Sequence, residues 1–207
     1  MYQHYDKFIK SIITEVMRMD ELKERIMKEG VILSNHVLKL DSILNHQVDP
    51  SLIMSMGKQF AQLYKDEGIT KVLTIESSGI TVGFATALEL GVPLVFARRK
   101  KSLNSDGDTL SERVPSFTKG IVTDIMVAKE FLQPDDRILL IDDIIANGDA
   151  ARGLIRIIER SSATLCGLGI VIEKSFQAGG RVIREQGIRV ESLVRIESLD
   201  NDTIVLS

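Results

Sequence analysis

A chain of 207 residues, 44% hydrophobic and 27% charged, has the composition of a globular protein with ample length for a full core. Its net charge of −3 and pI near 5.7 exclude a general basic field that would draw it to nucleic acid or anionic lipid. The apolar runs are too short to span a bilayer, and a single cysteine, Cys166, excludes an intramolecular disulfide and points to a reducing cytoplasm.

The opening stretch "MYQHYDKFIKSIITEVMRM" has no basic leader, long apolar block or small-residue cleavage site, so it does not read as a secretory signal. Phe8, Ile9, Ile12, Ile13 and Val16 recur at helical spacing and predict a short amphipathic helix. Met19 serves as a start as well as Met1 does, which leaves residues 1–18 as a candidate upstream extension. "DELKERIMKEG" predicts a helix closed by Gly30, with Leu22, Ile26 and Met27 on one face. "VILSNHVLKL" alternates, and Pro50 opens a helix over "SLIMSMGKQFAQLYKDEG".

"KVLTI" is a short β-branched run and predicts a buried strand. A Ser-Ser-Gly turn, a small-residue helix "TVGFATALELG" and a second strand "VPLVFAR" follow. "RRKKSLNSDGDTLSERVPSFTKG" is polar and rich in turn formers, and reads as a long excursion of the lid type. "IVTDIMVA" and "RILLI" predict strands, "AARGLIRIIERSS" a helix and "TLCGLGIVI" a strand, in whose apolar run Cys166 reads as a core residue. The tail predicts a short helix and one or two strands. This alternation implies an α/β fold around a mostly parallel sheet, with ligands at the carboxyl rim of the strands. That rim collects "ESSGI", "DDIIANGDA" and "EKSF".

In "ILLIDDIIANGDAARG" the apolar strand is read as ending at Asp142 and Asp143, before a short loop that turns into a helix. Backbone N–H groups converge at such a junction, and the helix dipole adds partial positive charge, which suits a phosphate. Gly148 lets the backbone come close. Carboxylates accept hydrogen bonds only, so beside a phosphate they suit the two hydroxyls of a ribose. The stretch therefore reads as a ribose 5-phosphate site.

The same stretch resembles the signature of type I phosphoribosyltransferases for 5-phosphoribosyl 1-diphosphate (PRPP): apolar strand, two acids, two apolar residues, small loop, helix. It departs from the common form in carrying Asn147 and Ala150 where that form has threonines, which leaves the phosphate to backbone N–H groups and the Asn147 amide. "DDIIANGDAA" is similar to the xanthine-using branch of these purine-salvage enzymes, and "VLKLDSILNHQVDP", "GITKVLTIESSGI", "LGVPLVFARRKKSL", "SFTK" and "GIVIEKSFQ" extend the resemblance from about Met19 onward.

The resemblance implies the type I fold in one domain, with residues 67–174 as the PRPP-binding core and residues 19–66 and 175–207 contributing a small hood. It implies that Ala146, Asn147, Gly148, Asp149 and Ala150 hold the 5-phosphate, and that Ser77, Ser78 and Gly79 face the diphosphate. Asp142 and Asp143 would hold the ribose, while Lys100, Lys101 or Arg98 neutralises the leaving group. Lys174, at the end of an apolar strand, offers only donors and so matches O6 and N7 of a 6-oxopurine rather than adenine. Phe176 reads equally as a stacking or a core residue. Leu38 and Asn45 belong to the hood over the base, where the Asn45 amide suits the 2-oxo group of xanthine or the 2-amino group of guanine. His46 has no neighbours at ligand spacing and reads as a surface residue.

The expected reaction transfers ribose 5-phosphate from PRPP to N9 of xanthine, with guanine or hypoxanthine as the alternative base. Mg²⁺ is expected to arrive with PRPP, and a homodimer is implied. A PRPP-sensing regulator would need a basic face or a recognition helix, and neither pattern is present.

Overall fold

A computed structural model describes residues 20–34, 37–99, 108–116, 121–200 and 203–207. The expectations for residues 1–18, for Lys100 and Lys101, and for most of "SFTK" lie outside the described residues.

A central sheet of six strands runs in the order β10-β9-β8-β7-β3-β4, formed by Lys71–Ile75 (β3), Leu94–Ala97 (β4), Arg137–Ile145 (β7), Thr164–Lys174 (β8), Val190–Ser198 (β9) and Val205–Leu206 (β10). All neighbours are parallel except β10, which is antiparallel to β9. One face packs on helix α1 (residues 20–29), α2 (Pro50–Leu63) and α3 (Gly79–Leu90). The other packs on α4 (Asp149–Ser161) and α5 (Gly179–Glu185). Alternation along the strands feeds both cores: Leu139 and Ile141 enter the first, Ile138 and Leu140 the second.

The helices begin and pack where the sequence has the chemistry for it. Asp49 caps α2, its Oδ1 accepting from Ser51 N at 2.9 Å and Leu52 N at 3.3 Å, and Pro50 occupies the first turn, where a missing N–H costs nothing. In α1, Leu22 and Ile26 are fully buried, while Met27 is 51% exposed and belongs to a different face from the one predicted. The hood contains an antiparallel hairpin of Val31–Ser34 (β1) and Val37–Lys39 (β2), followed by a single π turn over Asp41–Asn45.

Two differences from the sequence reading matter for the site. Strand β7 does not stop at the aspartates. It continues to Ile145, because β8 still supplies partners: Ile144 lies opposite Ile172 and Ile145 opposite Glu173. Second, the polar excursion is not loop throughout. Thr109–Ser116 (β5) pairs antiparallel with Ile121–Ala128 (β6) in a separate ribbon, with Leu110 and Val114 buried on alternate positions. This arm lies across α4: a Cβ on Gly153 would stand 2.6 Å from Val114 Cγ2. Glu112 secures it, accepting from Arg156 at 2.8 Å and Arg160 at 3.0 Å.

Candidate active site

The carboxyl ends of β7 and β8 open into a cleft of about 320 Å³, in the range of small-ligand sites. Asp142 and the continuous stretch from Ile144 to Ala151 line one side. Lys174 and Gln177 come from the end of β8, Arg99 from the end of β4, Val114 and Pro115 from the arm, and Val37 from the hood. The parallel register of β7 and β8 is what sets the acidic end of one strand beside the lysine end of the other.

The 146–150 loop is braced rather than slack. Gly148 adopts φ +77°, a left-handed conformation that glycine takes without a Cβ penalty, and stands as the N-cap of α4. Arg152, one turn into α4, donates to the Asn147 carbonyl at 2.7 Å and to Asp149 Oδ1 at 2.6 Å. From behind, Gly179 donates its N–H to the Ala146 carbonyl at 3.0 Å. A Cβ on Gly179 would strike that carbonyl oxygen and sit 2.6 Å from Gly148 N. Gly179→Ala is therefore expected to push the loop forward and raise the KM for the phosphate-bearing ligand that the sequence leads one to expect there roughly tenfold, a loss of one or two hydrogen bonds. Steady-state kinetics with a melting curve would check this; an unchanged KM would remove the loop-support argument.

The support under α5 is ionic. Glu173 is buried, and both its oxygens accept from Arg184 at 2.6 Å, with Ser192 Oγ donating at 2.5 Å. Burial pushes the Glu173 carboxyl up, but the Arg184 and Ser192 hydrogen bonds outweigh it and hold it below the usual range.

The two aspartates are not equivalent. Asp142 is buried and lines the cleft; Asp143 is half-buried and does not line it. Asp142 Oδ1 accepts from the Asp143 backbone N–H at 3.0 Å. Burial first, and then the charge of Asp143, raises the Asp142 carboxyl well above its ordinary 3.8. Gly79 passes directly over this group: a Cβ there would lie 3.0 Å from Asp142 Oδ1 and would collide with the hydroxyl of Thr74. Ser77 is exposed and Ser78 half-buried in the turn before it.

At the cationic side, Arg99 lines the cleft and is anchored by Glu76, which accepts from its backbone N–H at 2.7 Å through Oε1 and from Nε at 3.2 Å through the carbonyl. Arg98 is exposed, 3.5 Å from Glu76 Oε2. Sequence reasoning passed over Arg99, which stands in a run of four cations that offers no way to choose among them.

Lys174 is 8% exposed, and desolvation lowers its pKa. Leu38 faces the hydrophobic core, and it is the adjacent Val37 that lines the cleft. Asn45 is exposed at the end of the π turn and does not line the cleft. Phe176 is half-buried against the first core. Cys166 lies away from the site, half-buried, with burial raising its thiol. His46 is exposed, 3.7 Å from Asp41.

Comparisons with known proteins show the family and the fold. The model of the "Phosphoribosyl transferase domain" matches residues 41–194. Xanthine phosphoribosyltransferase of Moorella thermoacetica is 56% identical over 178 residues, covering 86% of this chain and 91% of that protein. The protein of the same name from Bacillus mycoides is 51% identical over 186 residues, covering 90% and 94%. Among solved structures, the adenine phosphoribosyltransferase of Giardia lamblia, complexed with 9-deazaadenine, matches with a TM-score of 0.66 and 28% identity over 77% of this chain and 86% of that one. That of Rhodothermus marinus gives 0.68 at 24% identity over 87% and 99%, which speaks to fold alone.

Proposed function

This chain belongs to the phosphoribosyltransferase family, and from that premise we propose that it converts xanthine and PRPP to xanthosine 5′-monophosphate and pyrophosphate. The observation that carries the choice of base is the buried Lys174 in one cleft with Asp142 and the 146–150 loop. Its ammonium, a donor-only group, meets O6 of the purine. The loop N–H groups and the dipole of α4 take the 5-phosphate, and the Ser77–Gly79 turn takes the diphosphate. Asp142 accepts the ribose hydroxyls from the cleft wall, with the charge of Asp143 beside it.

Bond breaking at C1 of the ribose places positive charge on the sugar and negative charge on the departing diphosphate. No side-chain nucleophile is needed; catalysis is positioning and electrostatics. Arg99, together with Lys100 and Lys101, neutralises the leaving group, while Asp142 faces the developing cation from the cleft wall. Val37 is the hood residue at the cleft wall, and Asn45, exposed at the end of the neighbouring π turn, is the hood residue proposed to meet position 2 of the base.

Magnesium fits as an ion carried in by the substrate. Among the described residues no three acidic, histidine or cysteine side chains gather as a site of their own, whereas diphosphate oxygens suit a hard, partly hydrated ion. Bound there, it would neutralise diphosphate charge.

Pyrophosphate release measured with PRPP, Mg²⁺ and each of xanthine, guanine, hypoxanthine and adenine tests the reading. Turnover strongest with xanthine and absent with adenine is the expected result. Guanine is the expected second substrate, and hypoxanthine, with nothing at position 2, the poorest of the three. Binding of PRPP without turnover of any base would replace the enzyme with a regulator.

The protein acts as a cytoplasmic homodimer in this reading. Among the described residues no helix is long and apolar enough to cross a membrane. Phe84 and Leu88, one turn apart on α3, are 57% and 58% exposed, and Phe96 on the edge strand β4 is 42% exposed. Such an apolar surface suits a second copy. Phe84→Glu with Leu88→Glu is expected to shift light scattering from dimer to monomer mass; a parent protein that is already monomeric would refute the dimer.

A further inference from the structure

Gln177 lines the cleft beside Lys174. Its backbone N–H donates to the Lys174 carbonyl at 2.9 Å, closing a tight turn, so the two side chains leave the chain from opposite ends of a single turn. The amide carbonyl oxygen of Gln177 is buried and, among the described residues, has no hydrogen-bond partner. A buried acceptor left unpaired is costly, and in a ligand cleft it marks a place where the donor comes with the ligand.

Resting on the reading of this cleft as a 6-oxopurine site, the geometry points to Gln177 as a second determinant of base choice, its carbonyl oxygen accepting the purine N1–H while the Lys174 ammonium donates to O6. The chemistry is complementary over two adjacent atoms. A 6-oxopurine presents an acceptor and a donor side by side on that edge; adenine presents the reverse, an amino donor at position 6 and an acceptor at N1. Lys174 opposes adenine at the first position only. With its amide in this orientation, Gln177 adds a second mismatch, two lone pairs facing each other, and such paired rejections are how a polar site discriminates strongly. A methyl group on N1 removes the donor without touching O6, which separates the two contacts.

The test compares the parent enzyme with Gln177→Leu and Gln177→Glu in steady-state turnover of xanthine, guanine, hypoxanthine and 1-methylxanthine at saturating PRPP. Gln177→Leu is expected to lower kcat/KM for the three N1–H bases on the order of tenfold to a hundredfold and to leave the KM for PRPP unchanged. It also narrows the gap between xanthine and 1-methylxanthine. Gln177→Glu keeps an acceptor and recovers most of the loss, which a damaged fold would not do. A raised KM for PRPP with unaltered kcat/KM for the bases would assign the carbonyl to the ribose phosphate and overturn the proposal. So would an undiminished xanthine preference over 1-methylxanthine in Gln177→Leu. A parent enzyme that turns over none of these bases overturns the reaction itself, and this assignment with it.

Discussion

Asp142→Asn is expected to reduce turnover by about a hundredfold to ten-thousandfold, from two charge-assisted hydrogen bonds worth roughly 1.5–3 kcal/mol each, without weakening the fold. The two effects separate because the carboxylate is held in place for the ligand at the expense of the free protein. Burial and the neighbouring Asp143 raise Asp142 well above 3.8, so the folded chain holds the proton more tightly than the unfolded chain does. Stability from this group is then fully present below pH 3.8 and is lost as pH rises through the folded value. At neutral pH the asparagine variant escapes that loss and should melt at or above the parent in the absence of ligand. PRPP reverses the preference, since ribose hydroxyls donate to the ionised form. Its affinity should therefore strengthen as pH rises through the Asp142 titration, with proton release on binding. Kinetics, melting curves and calorimetry in two buffers of different ionisation enthalpy would check all three. A variant that keeps its kcat, or one that melts far below the parent, would contradict the assignment. Asp143→Asn, at the half-buried position outside the cleft wall, should show the smaller effect.

How much of this was legible in the sequence follows from what each feature depends on. Strand β3 coincides with "KVLTI", and the Asp49–Pro50 helix start, the 146–150 loop and the lysine closing "GIVIEK" are all local patterns. The inequality of Asp142 and Asp143 was within reach, because adjacent residues of a continuing strand face opposite sides. It was missed by ending β7 at the acids. The β5 ribbon was hidden by its turn formers and by Pro115, which an edge position of a two-stranded ribbon tolerates. Val37 rather than Leu38 at the cleft is a question of hairpin register, which only tertiary packing decides. Arg99, Arg152 and Gly179 act through contacts with Glu76, the Asn147 carbonyl and the Ala146 carbonyl, and no spacing rule links those partners.

Lys174→Met keeps an apolar stem of similar volume in the wall and removes only the ammonium, so it isolates what the charge contributes. The folded environment disfavours that charge by desolvation, which lowers the Lys174 pKa, a cost that the methionine does not carry. The ligand complex should suffer instead. O6 would enter a wall that no longer donates to it, and kcat/KM for xanthine is expected to fall on the order of a thousandfold. Adenine, which gains nothing from the ammonium, should change little, so the ratio between the two bases collapses even though neither becomes a good substrate. The KM for PRPP, read at saturating base, should move far less than the KM for xanthine, because the loop proposed to hold the phosphate, 146–150, lies at the end of the neighbouring strand. If Lys174→Met instead preserved the preference for 6-oxopurines over adenine, the lysine would be a wall residue only, and base choice would rest on other groups of the cleft.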